Sequence, residues 1–247
     1  MRRRTELWCV WSGVPFVVLF FVGLLLLAGF VPPPSPNLSA AEIAAVYRDG
    51  NFSIRLGVLL CFLGTMFFLA FGSGVVGQTR RIPGVAPTVT YFQIASFAAS
   101  VLIIIFPLMC WWTAAFRPES RGPDLIQLVN DLGWLTFVVG FAPYVTWAVS
   151  TGLAIFSDTS ADPLFPRWSG YLCVFVGLVQ IPPGVLVFFK TGPFAWDGLI
   201  SWWVPMFDFF GWIVAMTLLS ARAVDQGTAG SGPPSEAADT ASVRGLG

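Results

Sequence analysis

Asp208 stands in the middle of an otherwise apolar run, residues 201–219. A carboxylate at the centre of a bilayer costs about 2.5–3.5 kcal/mol even on the lenient insertion scale. Such a group must be protonated, paired, or turned toward a protein-lined cavity. A neutral Asp can release a proton or donate a hydrogen bond, so Asp208 is a candidate for proton chemistry. The alternative is a structural carboxyl bonded to a neighbouring helix. Pro205, one turn earlier, has no N–H and leaves the carbonyl of Ser201 unpaired, which predicts a kink. Trp203 and Trp212 lie on the same run and are candidate walls of a site around Asp208.

Three other places carry polar groups in apolar surroundings. Gln127, Asn130, Asp131 and Trp134 are spaced by three and four, which puts them on one helical face. They read either as a solvated turn or as one wall of a polar site open to the outer leaflet. Gln180 precedes Pro182, Pro183 and Gly184. Prolines remove donors, and exposed backbone in a membrane is tolerated only inside protein or along a cavity. This segment is therefore either a kink or part of a cavity wall with Gln180. Lys190 and Asp197 flank a Gly-Pro turn, and their spacing allows an ion pair of little energetic worth if exposed.

Much familiar chemistry is absent. The chain has no histidine, which removes imidazole ligands, bases and triads. Cys9, Cys61, Cys110 and Cys173 form no CxxC pair and read as buried apolar side chains; Cys110, near a membrane face, is the one arguable thiol. No phosphate loop, dinucleotide fingerprint, HExxH or DDxxD run occurs, so no metal and no cofactor are expected. Net charge is zero with no basic domain, which argues against a nucleic-acid partner.

The elements that must hold these residues are membrane helices. The chain is 56% hydrophobic and only 11% charged, with mean hydropathy +0.77. Soluble proteins carry about 25% charge, so lipid is the main solvent. A hydrocarbon core of about 30 Å needs about 20 apolar residues as a helix. Six segments qualify, at 7–30, 54–76, 89–112, 132–156, 168–189 and 199–219. The fold class is an all-α transmembrane bundle over residues 1–224, followed by a Gly-, Ala- and Ser-rich disordered tail over 225–247. The first segment is too long for a signal peptide and reads as a retained helix.

Basic residues near span ends favour an N-in, C-in orientation. Arg2, Arg3, Arg4, Arg80, Arg81, Arg167, Arg222 and Arg244 fall on the cytoplasmic side, against Arg48, Arg55, Arg117, Arg121 and Lys190 outside. Trp8, Trp11, Trp111, Trp112, Trp168, Trp196, Trp202 and Trp203 fall near span ends and read mostly as interfacial anchors. In the largest outer loop, Ser39 and Glu42 form a predicted capping box that opens a short helix through Tyr47. Gly57 and Gly64 recur as Gly170 and Gly177 in the second and fifth spans. Close helix packing explains them, as it does Ser73 and Gly77. An inverted repeat is the alternative.

The stretches Arg121-Gly-Pro-Asp-Leu-Ile-Gln-Leu-Val-Asn130-Asp131-Leu-Gly-Trp134, Phe165-Pro-Arg-Trp-Ser-Gly-Tyr171 and Phe189-Lys-Thr-Gly-Pro-Phe-Ala-Trp-Asp-Gly198 resemble a group of small polytopic membrane proteins common in high-GC Gram-positive bacteria. The resemblance covers most of residues 8–222. It implies a multi-span protein of a bacterial plasma membrane and brings no activity with it.

The leading functional reading is a non-enzymatic integral membrane protein. It would bind a lipophilic small molecule or a membrane protein partner near the outer leaflet, through Asp208, Trp212, Trp203, Gln180, Asn130, Asp131, Trp134 and Gln127. One alternative is a metal-free intramembrane enzyme acting by acid catalysis on an isoprenoid-like substrate, with Asp208 as acid, Asp131 as second carboxyl and aromatic faces stabilising a cation. Another is a proton-coupled carrier centred on Asp208, Gln180 and the broken fifth helix.

Overall fold

The computed structural model describes residues 1–229. Among them there is no strand, and six helices are long and apolar enough to cross a membrane. We label these α1 (Arg2–Leu27), α3 (Asn51–Thr79), α4 (Pro87–Phe116), α5 (Pro123–Phe156), α6 (Arg167–Phe188) and α7 (Leu199–Gln226). A short helix, α2 (Ala40–Asp49), lies in the first long loop. Consecutive spanning helices pack side by side, and α7 returns to α1 to close the ring. α3 also touches α5 and α7. The all-helical, six-span layout is the one the apolar runs predict.

Several boundaries differ from the hydropathy reading. α1 begins at Arg2 because its basic turn finds partners: Arg2 pairs with Glu6 at 2.9 Å and Arg3 with Asp225 at 2.6 Å. α5 begins at Pro123, where proline suits a first helical turn. It is in fact two α-helical pieces joined at Gly140 and Phe141, with Pro143 opening the second. The last helix continues to Ala229, beyond the expected boundary at 224, and Arg81 donates to the carbonyl of Ala223 at 3.1 Å. The rest of the predicted tail, 230–247, lies outside the described residues.

Small residues let the helices approach. A side chain on Gly23 would sit 2.6 Å from the Cys61 sulfur, and one on Gly57 would sit 2.9 Å from the backbone nitrogen of Ala28, so α1 and α3 meet backbone to backbone there. Gly170 and Gly177 serve the α5–α6 contact in the same way. In the Ser73–Gly77 stretch the close approach belongs to Gly74, which packs on Val10; Ser73 is exposed and bonds the carbonyl of Leu69, and nothing packs on Gly77.

The tryptophans divide into two groups. Trp8, Trp11 and Trp168 are exposed, as anchors should be. Trp111, Trp196 and Trp202 are buried, contrary to the anchor reading. Trp196 donates to the carbonyl of Pro34 at 2.7 Å, and Trp111 packs on Trp134 with ring centres 4.5 Å apart. Trp202 joins the same aromatic cluster, 5.4 Å from Trp134. Trp112 stacks on Phe62 and donates to the carbonyl of Arg55.

The capping box forms as predicted. The Ser39 hydroxyl accepts from the Glu42 N–H, and the Ser39 N–H donates to the Glu42 carboxylate at 2.7 Å. These bonds hold the Glu42 carboxyl below its ordinary pKa.

Candidate functional site

The predicted polar face on α5 is a clamp. The Asn130 side-chain oxygen accepts from the Tyr47 hydroxyl at 3.0 Å and from the Trp134 indole at 3.2 Å. Its amide donates to Asp131 at 3.1 Å. Gln127 donates to the carbonyl of Leu38 at 3.0 Å. Asn130, Tyr47 and Trp134 are fully buried. Together these bonds fasten α2 and its loop to the first half of α5. The buried Tyr47 hydroxyl, Trp134 indole and Asn130 amide all find partners within the group, which is what a structural cluster needs in a low-dielectric setting.

Asp208 is half-buried and accepts a hydrogen bond from Gln180 of α6 at 3.4 Å. The same amide donates to the carbonyl of Pro205 at 3.0 Å. Asp208 therefore ties α7 to α6 through Gln180. The kink expected before Pro205 takes the form of a π turn, Leu199–Trp203. Widening the turn shifts the hydrogen-bond register ahead of a residue that cannot donate. Trp212 is buried and donates to the Cys173 sulfur at 3.3 Å, and half-buried Trp203 stacks on Phe207. Lys190 and Asp197 form no ion pair; the Lys190 carbonyl instead accepts from Asn37 at 2.8 Å. All four cysteines are unpaired, and Cys110 is buried.

The largest departures from α-helical geometry converge elsewhere. A cavity of about 110 Å³ opens among α1, α3, α4, α5, α6 and α7. The π-helical end of α1, Val22–Leu27, supplies Leu24. The joint of α5 supplies Gly140 and Phe141. The 3-10 turn Pro182–Phe188 of α6 supplies Pro183, with Gln180 just before it. The π turn of α7 supplies Ser201 and Trp202. Pro107 in α4 cannot donate to the carbonyl of Ile103, and Ile103 lines the same space. Apart from the joint at Ser12 in α1, the irregular backbone of the bundle faces one cavity.

Its walls are mainly aromatic and aliphatic, including Phe20, Phe68, Phe137, Met206 and Phe209. A few polar groups interrupt them. Ser100 and Ser201 spend their hydroxyls on the carbonyls of Ser96 and Phe194. Gln180 is bonded as described above. Two groups are left over. The Tyr144 hydroxyl and the Trp202 indole N–H are buried and have no hydrogen-bond partner. Tyr144 is 7% exposed and Trp202 4%. Asp208 and Cys173 lie near enough to Tyr144 to act on it electrostatically, but neither bonds its hydroxyl.

Of the site residues proposed from sequence, Gln180 alone lines this cavity; Pro183, Pro205 and Trp202, read from sequence as kinks and an anchor, line it too. Asp208, Trp203, Trp212, Gln127, Asn130, Asp131 and Trp134 do not. Asp208 touches it at one remove, through Gln180, and Trp134 through Phe137 and Trp202. The two carboxylates, Asp131 and Asp208, belong to separate hydrogen-bonded groups. Tyr144 and Phe141 escaped the sequence reading, although Gly140 and Pro143 inside a spanning segment signal the break that brings them there. Among the described residues no cluster of His, Cys, Asp or Glu is suited to a metal ion. No known family model, curated protein or solved structure matches this chain, so the geometry of the cavity is what speaks to its role.

Proposed function

We propose that this integral membrane protein binds a lipophilic small molecule in the aromatic cavity. The ligand would have an apolar body and one hydrogen-bond acceptor, such as a ketone or ether oxygen. The observation that carries the reading is the pair of unpartnered donors, Tyr144 and Trp202, in a cavity where the irregular backbone gathers. A buried polar group without a partner costs about 1–3 kcal/mol, and a ligand oxygen accepting from either donor would remove that penalty. π turns and broken helices concentrate at functional sites for a related reason: they are tolerated where the backbone borders a cavity.

Size limits the ligand. A cavity of about 150 Å³ lined by apolar groups takes a benzene ring. This one, at about 110 Å³, would hold a small ring or a short branched chain, with any longer tail leaving between helices. Ion or proton passage fits less well, because the walls are apolar and Asp208 stands behind Gln180. The ends of the bundle support an N-terminus on the cytoplasmic side: Arg2, Arg3, Arg4, Arg80, Arg81 and Arg222 gather around the N-terminal end of α1.

The test uses the purified full chain with a small aryl ketone and a hydrocarbon of the same shape. The ketone is expected to raise the unfolding midpoint and quench tryptophan fluorescence, and the hydrocarbon to do so more weakly. A Ser100→Leu variant, which fills the cavity, is expected to abolish both responses. Equal responses from ketone and hydrocarbon, or a response that survives in Ser100→Leu, would refute the proposal.

A further inference from the structure

A second concavity lies on the lipid-facing side of α3 and α4, at the end of the bundle that carries α2. It is an open groove of about 620 Å³. Its walls repeat at helical spacing: Phe52 and Leu59 on α3, Met109 and Phe116 on α4. Each pair is seven residues apart, so the groove runs along about 10 Å of helix. All four side chains are exposed although large and apolar. The Trp112 indole joins the walls by donating to the carbonyl of Arg55 at 3.0 Å.

The head of the groove is cationic. Arg55 comes from the first turns of α3 and Arg121 from the connection between α4 and α5, and both line it. Arg117 lies beside them with its guanidinium 5.1 Å from the Phe116 ring centre. Arg48 donates to the carbonyls of Pro118 and Arg121 and so fixes the connection. Arg121 spends one N–H on the carbonyl of Thr113 and keeps the rest of its five-donor fork. No protein group accepts a hydrogen bond from the Arg55 guanidinium among the described residues. Arg2–Glu6 and Arg3–Asp225 pair at the other end of the bundle. Asp49 and Glu119 share this end and pair with neither Arg55 nor Arg121.

We propose that this groove holds one anionic phospholipid, its phosphate between Arg55 and Arg121 and an acyl chain along Leu59, Met109 and Phe116. Guanidinium forks match phosphate oxygens in geometry as well as charge. The cations sit where a headgroup lies and the apolar walls run inward from them, as a lipid's own polarity requires. The site is independent of the aromatic cavity, which neither arginine touches.

Native mass spectrometry of the detergent-purified full chain, titrated with dioleoyl phosphatidylglycerol or dioleoyl phosphatidylcholine, tests this. The expected result is one tightly retained phosphatidylglycerol, bound at least tenfold better than phosphatidylcholine. Joint replacement Arg55→Gln and Arg121→Gln should erase the preference. Arg121 also caps α4, so Arg55→Gln alone serves as the fold-preserving variant. It should weaken phosphatidylglycerol retention severalfold with an unchanged unfolding midpoint. Equal retention of the two lipids, an undiminished preference in the double variant, or displacement of the lipid by equimolar inorganic phosphate would each overturn the proposal.

Discussion

The Asn130 clamp and the aromatic cavity are neighbours joined by the ring of Trp134, yet they treat polar groups in opposite ways. In the clamp, one buried amide gives a partner to a phenol, an indole and a carboxylate. In the cavity, a phenol and an indole of the same kinds are buried with nothing to bond. Both sets sit in low dielectric, where an unmade hydrogen bond is expensive. The first set fastens the fold, and the second does not. Polar residues inside a membrane bundle are therefore sorted less by type than by whether the protein itself completes them.

The sharpest way to break this contrast is to unmake the clamp. Asn130→Leu strands the Tyr47 hydroxyl and the Trp134 indole, and should cost about 2–4 kcal/mol of stability, read as a lower unfolding midpoint in detergent. A neutral result would mean that the clamp carries no load. Filling the cavity should do the reverse. Ser100→Leu should reduce aryl-ketone affinity more than tenfold in a fluorescence titration while leaving the unfolding midpoint unchanged or higher. Gln180→Ala, which removes the tie between α6 and α7, should destabilise by about 1 kcal/mol, whereas Asp208→Asn keeps an acceptor for Gln180 and should change stability by less than about 1 kcal/mol. A large loss of ligand binding in Asp208→Asn would put the carboxylate back at the centre of the site.

The smallest effect is expected far from both regions, at the capping box. Glu42 has a folded pKa below its unfolded value because Ser39 bonds its charged form. The stabilisation is thus complete above the unfolded pKa and disappears as pH falls through the lower folded one. Protection of the amides at the start of α2, measured against their intrinsic exchange rates, should fall over that acidic range, and Ser39→Ala should remove this dependence on pH.

The spans were legible because an apolar run of about 20 residues or more has one inexpensive solution in lipid. Ser39 and Glu42 were legible because a capping box is local. Asp208 drew notice for its desolvation, but which partner relieves it is a matter of tertiary contact, and Gln180 is 28 residues away. Asn130 and Asp131 were grouped correctly by spacing and read too openly, because their partner Tyr47 lies 83 residues earlier. The cavity was nearly invisible in sequence. Its walls are ordinary Phe, Leu and Ile, and what marks it is a set of helix irregularities on different spans. Gln180 with Pro182 and Pro183 was the one visible thread; Gly140 with Pro143 is a signal of the same kind that went unread.

The unfolding midpoint of Tyr144→Phe, measured with and without the aryl ketone, bears most directly on the central claim. Removing an unpartnered hydroxyl should leave the ligand-free protein as stable as the wild type or more so, and should weaken ketone binding about fivefold or more, the worth of one net hydrogen bond. A variant that is less stable without ligand yet binds the ketone as well as the wild type would show that the Tyr144 hydroxyl serves the fold and that the cavity does not await a ligand oxygen.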